Sequence, residues 1–148
     1  SVSPTYAEPI EQLTPKARIV RLPCGGSKYL RKEKLWPYLD EFVDRMISFT
    51  RREKRTPAVV HGHYADAGYV ASEVASAFGV PFLFTGHSLG QDKRAYLMEQ
   101  GWDPPDIDRE FNIEKRIRTE EHCLAAADMI IASTRHERDV QYDRYSNG

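Results

Sequence analysis

A short glycine-containing segment carries the residue types that could do chemistry in this chain. An apolar stretch at 82–85 runs directly into Gly-His-Ser-Leu-Gly at 86–90, and this spacing fits the G-x-S-x-G turn that presents the nucleophile of a serine hydrolase. Gln, Asp, Lys and Arg follow at 91–94, where a hydrolase helix packed on its sheet needs small or apolar residues. A loop that presents His87, Ser88 and Lys93 at a helix N-terminus is more typical of a site for a phosphorylated or hydroxyl-rich ligand.

A serine esterase is the alternative that this segment leaves open. Ser88 would be the nucleophile, and the chain order of serine, acid and histidine fits such enzymes. The available acids and bases are Asp103, Asp106, Asp108 and Asp128, and His122 and His136. Only one predicted strand follows Ser88, and no glycine-rich oxyanion sequence precedes it. We therefore favour a ligand-binding loop.

The composition is that of one globular domain with balanced charge. The 148 residues carry 21 Lys and Arg against 22 Asp and Glu, which gives a net charge of −1. Such a balance does not attract nucleic acid or a lipid surface, and no apolar run is long enough to cross a bilayer. The two cysteines, Cys24 and Cys123, lie in no metal-ligand spacing, so we expect free thiols and a cytoplasmic protein.

Apolar runs alternate with helical patterns, which predicts an α/β fold with a parallel sheet and helices on its faces. The predicted strands are Ala17–Leu22, Ala58–Val60, Pro81–Phe84 and Met129–Ala132. The predicted helices cover 33–53, 70–78 with a stop near Gly79, a segment that begins near Ser88, 113–126, and a segment that begins near Thr134. The acidic stretch 99–110 contains two adjacent prolines and predicts a solvated loop.

Polar and titratable residues gather directly after the predicted strands. Four of the five histidines lie there, and ligands of an open parallel sheet bind beyond the carboxyl ends of its strands. We therefore expect His63, His87 and Thr134 to meet at one edge of the sheet. For His61 and His63 we favour hydrogen bonding or packing over a metal site, because no third ligand joins them in a zinc spacing.

Helix caps are the alternative roles for several of these polar residues. Asp66 could cap the helix that follows it or bind a sugar hydroxyl. The Ser88 hydroxyl is predicted to cap the helix that begins there. Thr134 and Glu137 have the spacing of a capping box, in which the hydroxyl and the carboxylate each accept from a backbone N–H of the first turn.

Five stretches of sequence carry a family resemblance. They are Gly-Gly-Ser-Lys-Tyr-Leu-Arg-Lys-Glu with Leu-Trp-Pro-Tyr at 25–38, Val-His-Gly-His-Tyr-Ala-Asp-Ala-Gly at 60–68, Phe-Thr-Gly-His-Ser-Leu-Gly with a lysine at 84–93, Lys-Arg-Ile with Glu-Glu at 115–121, and Ser-Thr with a glutamate at 133–137. Together they resemble the sucrose-phosphate synthases. Because the matches run in order along nearly the whole chain, they are far more specific than a lone G-x-S-x-G.

The resemblance implies a retaining glycosyltransferase of the two-Rossmann (GT-B) type, in which this chain is a Rossmann-like part of the N-terminal domain. Such an enzyme transfers glucose from UDP-glucose to fructose 6-phosphate and gives sucrose 6-phosphate. By motif, the substrate-binding residues would be Lys28, Lys32, Ser88, Lys93, Lys115 and Arg116. His87 would line the cleft near the reacting sugar as the catalytic candidate. No metal is implied in this segment, although Mg²⁺ often assists the full enzymes.

The family pattern also implies that residues 1–148 are one partial, acceptor-side domain. The donor domain that would hold UDP-glucose has no counterpart in the sequence, so we expect the chain alone to be inactive. A non-catalytic sugar-phosphate-binding module is the second reading, and a GDP-mannose-type donor stays open. A sheet that lacks its first strands would expose an edge, so self-association is a further expectation.

Overall fold

Two separate sheets form the framework of the computed structural model, which describes residues 8–26 and 28–145. A two-stranded antiparallel sheet consists of β1 (Ile10–Thr14) and β2 (Ala17–Val20). A three-stranded parallel sheet has the order β3-β4-β5, with β3 at Val60–His63, β4 at Phe82–Thr85 and β5 at Met129–Ile130. The parallel sheet is the one that the alternating sequence pattern predicts.

Within these described residues, five α-helices and several tighter or wider turns surround the strands. The helices are α1 (Leu39–Arg52), α2 (Tyr64–Phe78), α3 (Gly90–Glu99), α4 (Pro104–Phe111) and α5 (Ile113–Ala126). Short 3₁₀ turns lie at Lys32–Lys34, Trp36–Tyr38 and Asp143–Tyr145, and a π-helical turn lies at Glu137–Gln141. None of the described helices is long and apolar enough to cross a membrane.

The helix and strand predictions for the central part of the chain are confirmed. Helix α2 ends where Gly79 adopts a left-handed conformation with φ +63°, which glycine reaches without steric cost. The predicted helix 113–126 matches α5. The parallel strands are shifted from their predicted bounds, most of all β3, which includes the polar residues His61 and His63.

The first predicted strand is wrong in its partner and its environment. Ala17–Leu22 was expected in the parallel sheet, but residues 17–20 pair with β1 in a hairpin apart from that sheet. The reason lies in two arginines within the run. Arg18 forms an ion pair with Glu53, and Arg21 forms one with Glu11, so this strand stays near solvent.

The bounds of several helices also differ from prediction. The pattern at 33–53 begins with two 3₁₀ turns, one of which includes Pro37, before α1 starts. The stretch 99–110 is not only loop, because its two prolines occupy the first turn of α4, where the missing N–H groups have no helical partner to lose. The last predicted helix is present mainly as the π turn.

Helix α2 is the element around which the core is built. One buried cluster joins α2 to β4 and α5 through Ala71, Phe84 and Cys123, and a second joins α2 to α1 through Val43 and Val74. This double contact holds β3 and the N-terminus of α2 in place, and the residues that follow β3 belong to the candidate site.

Gly68 provides the test of this packing. A Cβ atom built at Gly68 would lie 2.6 Å from Phe84 Cε2 and 2.8 Å from Cys123 Sγ, so Gly68→Ala overpacks the joint between α2 and β4. We predict that it lowers the free energy of unfolding by about 1–3 kcal/mol, measured by urea denaturation. Ser76→Ala on the exposed side of α2 is the control and should change stability by less than about 0.5 kcal/mol. Equal stability of the two variants would contradict the packing.

Candidate functional site

A cavity of about 300 Å³ beyond the carboxyl ends of β3 and β4 brings together three cations from distant parts of the chain. Lys32 comes from the first 3₁₀ turn, Lys93 from α3 and Arg116 from α5. Ser88 also lines the cavity. Three converging positive charges suit a phosphate group, because hydrogen bonds between ions are shorter and stronger than those between neutral groups.

Lys93 is partly buried and close to two other cations, and both features disfavour its charged form. Its Nζ is 3.8 Å from the centroid of the Phe111 ring, a cation–π contact. Burial, and then the charges of Lys32 and Arg116, lower the pKa of Lys93 from its ordinary value of 10.5. A bound anion would relieve this repulsion, so the cavity is electrostatically prepared for a negatively charged ligand.

Arg116 is fixed in one orientation by two other residues. Its Nε donates to Glu120 Oε1 at 2.9 Å, and its Nη2 donates to the carbonyl oxygen of Ser88. The arginine side chain is only 15% exposed. A guanidinium held in this way presents its remaining N–H groups to the cavity with little freedom left to lose on binding.

The rest of the cavity lining suits a carbohydrate. Trp36, Tyr64 and Phe111 supply aromatic surface, and the carboxylates of Glu33 and Asp66 also line it. Aromatic rings pack against the C–H faces of sugars, and carboxylate oxygens accept hydrogen bonds from hydroxyl groups. Asp66 lies in the first turn of α2, whose N-cap is His63. Its Oδ1 accepts from the Ala67 N–H at 2.9 Å, but Asp66 is not the N-cap that one of its two predicted roles required.

A chain of hydrogen-bonded side chains confirms that the strand ends meet at one edge. His63 Nδ1 lies 2.8 Å from His87 Nε2, and His87 Nδ1 lies 3.1 Å from the Ser133 hydroxyl oxygen. His61 Nε2 lies 2.8 Å from the Thr85 hydroxyl oxygen. These contacts join residues from the ends of β3, β4 and β5, as the predicted topology requires.

The histidine cluster disfavours protonation at its centre. Burial, and then the charges of His61 and His87, lower the pKa of His63 from its ordinary value of 6.5. His87 of this cluster and the neighbouring Tyr64 have left-handed backbone, with φ of +59° and +64°. Such conformations cost energy in non-glycine residues and concentrate at functional sites.

The structure contradicts the helix-capping role predicted for Ser88 and supports the preference for a binding loop over an esterase. Helix α3 begins at Gly90 with Leu89 as its N-cap, and no side chain caps it, so the capping role of Ser88 is wrong. In the described part of the chain no histidine hydrogen-bonds the Ser88 hydroxyl, and His122 lies 3.4 Å from the hydroxyl of Ser72 instead. A serine without an adjacent base is a weak nucleophile, so the arrangement does not support the esterase alternative.

The loop 86–91 donates its backbone N–H groups to protein side chains. The acceptors are the Tyr142 hydroxyl for Gly86, Glu137 for His87, Gln141 for Leu89, Glu120 for Gly90 and the Tyr145 hydroxyl for Gln91, at 2.7–3.2 Å. Ser88 N–H donates to the carbonyl of Gly86 within the loop. These N–H groups are therefore already bonded within the protein, which leaves the side chains of the cavity as the groups that can bind a phosphate.

Sequence reasoning noticed only one of these acceptors. The capping-box spacing identified Glu137, and its N–H does donate to the Thr134 hydroxyl at 3.0 Å. The Glu137 carboxylate, however, accepts from His87 and Ser133 rather than from Thr134. Glu120 was visible only as part of a family motif, because nothing in its spacing shows that it lies beneath a loop thirty residues away.

Two predicted substrate contacts lie apart from the cavity. Lys28 is exposed on the loop before the first 3₁₀ turn, and it is not among the described residues that line the cavity. Lys115 Nζ lies 5.6 Å from the centroid of the Trp36 ring and lines a separate depression with Tyr69 and His122. Roles for these two lysines stay predictions.

A metal site has no ligand set in the part of the chain that the structure describes. Within residues 8–26 and 28–145, no three His, Cys, Asp or Glu side chains are grouped as metal ligands. The three clustered histidines bond to one another and to hydroxyl groups. A role for Mg²⁺ in a full enzyme stays a prediction.

Comparison with known proteins gives a consistent family. The model of the glycosyl transferase 4-like domain matches residues 2–140. Sucrose-phosphate synthase 4 of Arabidopsis thaliana is 42% identical over 95% of this chain and 16% of its own length. Sucrose-phosphate synthase of Spinacia oleracea is 39% identical over 95% of this chain and 16% of its own length.

A solved structure has the same fold. The sucrose-phosphate synthase of Thermosynechococcus elongatus superimposes with a TM-score of 0.79 at 24% identity, over 97% of this chain and 33% of its own. The chain thus spans about one sixth of the length of the curated relatives named above and one third of that structure.

The histidine cluster makes a prediction that needs no ligand. We expect His63 to titrate below 6.5 in an NMR pH titration, because burial and two imidazole neighbours lower its pKa. His87→Gln should raise that pKa only part of the way back, since burial is the larger cause. His122→Gln, outside the cluster, is the control. A His63 that titrates at or above 6.5 in the unchanged protein would contradict the arrangement.

Proposed function

Since this chain belongs to the glycosyl transferase 4-like family, we propose that it forms the acceptor side of a sucrose-phosphate-synthase-like glycosyltransferase. The longer protein would transfer glucose from UDP-glucose to the 2-hydroxyl of fructose 6-phosphate. The observation that carries the proposal is the cavity in which Lys32, Lys93 and Arg116 converge beside aromatic and carboxylate groups. Because the chain covers only 15–16% of its curated relatives, sugar-phosphate binding is proposed for this chain and transfer for the longer protein.

The three cations would bind the phosphate of the acceptor. Each charge-assisted hydrogen bond contributes about 1.5–3 kcal/mol, and Arg116 is already oriented by Glu120. The phosphate would bind against Lys32, Lys93 and Arg116, and the carboxylates of Glu33 and Asp66 line the same cavity. Those carboxylates would accept hydrogen bonds from the sugar hydroxyls.

His87 would lie between the acceptor and the incoming donor. Its ring bonds to His63 and Ser133, so its orientation is fixed from two sides. Because these bonds use both ring nitrogens, His87 would line the cleft beside the reacting sugar, and the lowered pKa of His63 limits positive charge there. The residues of this chain would thus bind, orient and exclude water, while the donor binds elsewhere in the longer protein.

Other parts of the proposal concern partners and location. The donor is proposed to be UDP-glucose, with a GDP-mannose-type donor as the competing choice. The exposed apolar residues Met129 and Ile130 of β5, 58% and 45% exposed, are consistent with self-association at this edge of the sheet. The cytoplasmic location expected from Cys24 and Cys123 is also part of the proposal.

Removal of Lys93 tests the phosphate site. We predict that Lys93→Ala weakens fructose 6-phosphate binding about tenfold or more, since one charge-assisted hydrogen bond is lost, measured by isothermal titration calorimetry. Lys34→Ala is the matched control, because Lys34 is exposed in the same 3₁₀ turn as Lys32 but does not line the cavity. Equal affinity of the Lys93→Ala and unchanged proteins would remove Lys93 from the site.

The pH dependence of binding follows from the lowered pKa of Lys93. As pH rises through that pKa, below 10.5, Lys93 loses its charge and fructose 6-phosphate should bind more weakly. Lys93→Arg should bind independently of pH over this range, because arginine stays protonated. In the unliganded protein stability depends on pH in the opposite direction. Deprotonation of Lys93 relieves its repulsion with Lys32 and Arg116, so the contribution of Lys93 to the free energy of unfolding should rise with pH. Binding that weakens identically in both proteins would contradict this assignment.

A further inference from the structure

Loop 86–91 carries His87 and Ser88 and leads into the helix that bears Lys93, yet residues that do not line the cavity determine its shape. We propose that Glu120, Glu137, Gln141, Tyr142 and Tyr145, here called the clamp, are positioning residues that hold this loop in the geometry required for sugar-phosphate binding. This inference rests on the proposed function of the cavity. It goes beyond that function by assigning a role to side chains that do not line the cavity.

The clamp engages the loop at nearly every backbone donor. The N–H groups of Gly86, His87, Leu89, Gly90 and Gln91 each donate to a clamp side chain. Five such bonds to a segment of six residues leave little freedom for another loop conformation. Side chains rather than strands or helices provide this order, so single substitutions can remove individual bonds.

Glu137 joins the loop to the end of β5. One of its carboxylate oxygens accepts from the His87 N–H at 2.8 Å and from the Tyr142 hydroxyl at 3.1 Å, and the other accepts from the Ser133 N–H at 2.7 Å. The residue is 1% exposed. His87 and Ser133 are also bonded to each other through their side chains. Glu137 therefore fixes the backbone of both residues that form this side-chain hydrogen bond.

Glu120 holds the elements that carry the cations proposed to bind phosphate. It is fully buried, and one carboxylate oxygen accepts from Arg116 Nε. The other accepts from the N–H of Gly90, at the first residue of α3, and from the Tyr145 hydroxyl. A single carboxylate therefore links the orientation of Arg116 to the start of the helix that carries Lys93.

The π turn explains how one short segment supplies several acceptors. Tyr142 N–H bonds to the carbonyl of Glu137 at 3.0 Å, an i→i+5 bond. In such a wide turn the residues four and five positions after Glu137, namely Gln141 and Tyr142, lie on the same side as Glu137, whereas an α-helix would rotate the second of them away. Single π turns of this kind recur at functional sites.

The burial of two carboxylates supports a positioning role over a merely stabilising one. Buried charges are costly, and apolar residues of similar volume usually stabilise a core as well or better. The bonds of Glu120 and Glu137 end on the loop that carries the site residues, not only on core elements. Although burial raises the pKa of Glu137, hydrogen bonds from Ser133, His87 and Tyr142 lower it below its ordinary value, so the carboxylate is charged at neutral pH.

Tyr142→Phe tests the clamp with a nearly isosteric change. It removes the acceptor of the Gly86 N–H and the donor to Glu137 without opening a cavity. We expect the Gly86 amide to exchange with solvent about five- to tenfold faster, the effect of one lost hydrogen bond, and the His87 imidazole ¹⁵N shifts to move. Fructose 6-phosphate affinity should fall several-fold. Tyr69→Phe is the matched control, because it removes a hydroxyl bonded to Asp40 far from the loop.

Amide exchange tests whether the clamp holds the loop, and fructose 6-phosphate binding tests the proposed function, so failure of one can be told from failure of the other. Loop amides of the unchanged protein that exchange at the rate of a free peptide would overturn the clamp, whatever binds. Faster exchange in Tyr142→Phe with unchanged fructose 6-phosphate affinity would also overturn it, since the loop would then be held for no purpose at the cavity. An unchanged protein that binds no fructose 6-phosphate would overturn the proposed function and the positioning role that rests on it, whereas protected loop amides would still show that the loop is held.

Discussion

The buried carboxylate of Glu120 is the contact on which the site depends. It has no access to solvent, so both of its oxygens need protein donors. Its donors are the Arg116 guanidinium, the N–H of Gly90 and the Tyr145 hydroxyl. These three groups belong to α5, the start of α3 and the end of the described chain. The need to satisfy one buried charge therefore fixes three elements relative to one another, and two of them carry cations of the cavity.

The sheet and α2 supply the rigid side of the same arrangement. Parallel strands end at a common edge, and the close approach of β3 to α2 is possible because Gly62 and Gly68 have no side chain. A Cβ built at Gly62 would lie 2.7 Å from the Cα of Gly68. The histidines that follow β3 and β4 are thereby held within hydrogen-bonding distance. The cavity thus has one wall set by backbone packing and another set by buried side-chain hydrogen bonds.

The sequence predicted what depends on local pattern and on topology. Alternating apolar and helical segments predicted the parallel sheet, and the strand-end rule predicted that His63 and His87 would meet. The hairpin of β1 and β2 was missed. The composition of an apolar run with arginines predicts a strand, but it does not show which other strand pairs with it. The acceptors of the loop N–H groups were missed as well. Their roles depend on contacts across thirty to fifty-six residues, which no spacing rule contains.

We propose that side chains bind the sugar phosphate, whereas the N–H groups of loop 86–91 are bonded within the protein and do not contact the ligand. The most direct measurement is a crystal structure of the protein soaked with fructose 6-phosphate. We expect phosphate oxygens within hydrogen-bonding distance of Lys93 Nζ and the Arg116 guanidinium, with the Gly90 and Gln91 N–H groups still bonded to Glu120 and Tyr145. A phosphate bound by those two N–H groups, or bound outside this cavity, would contradict it.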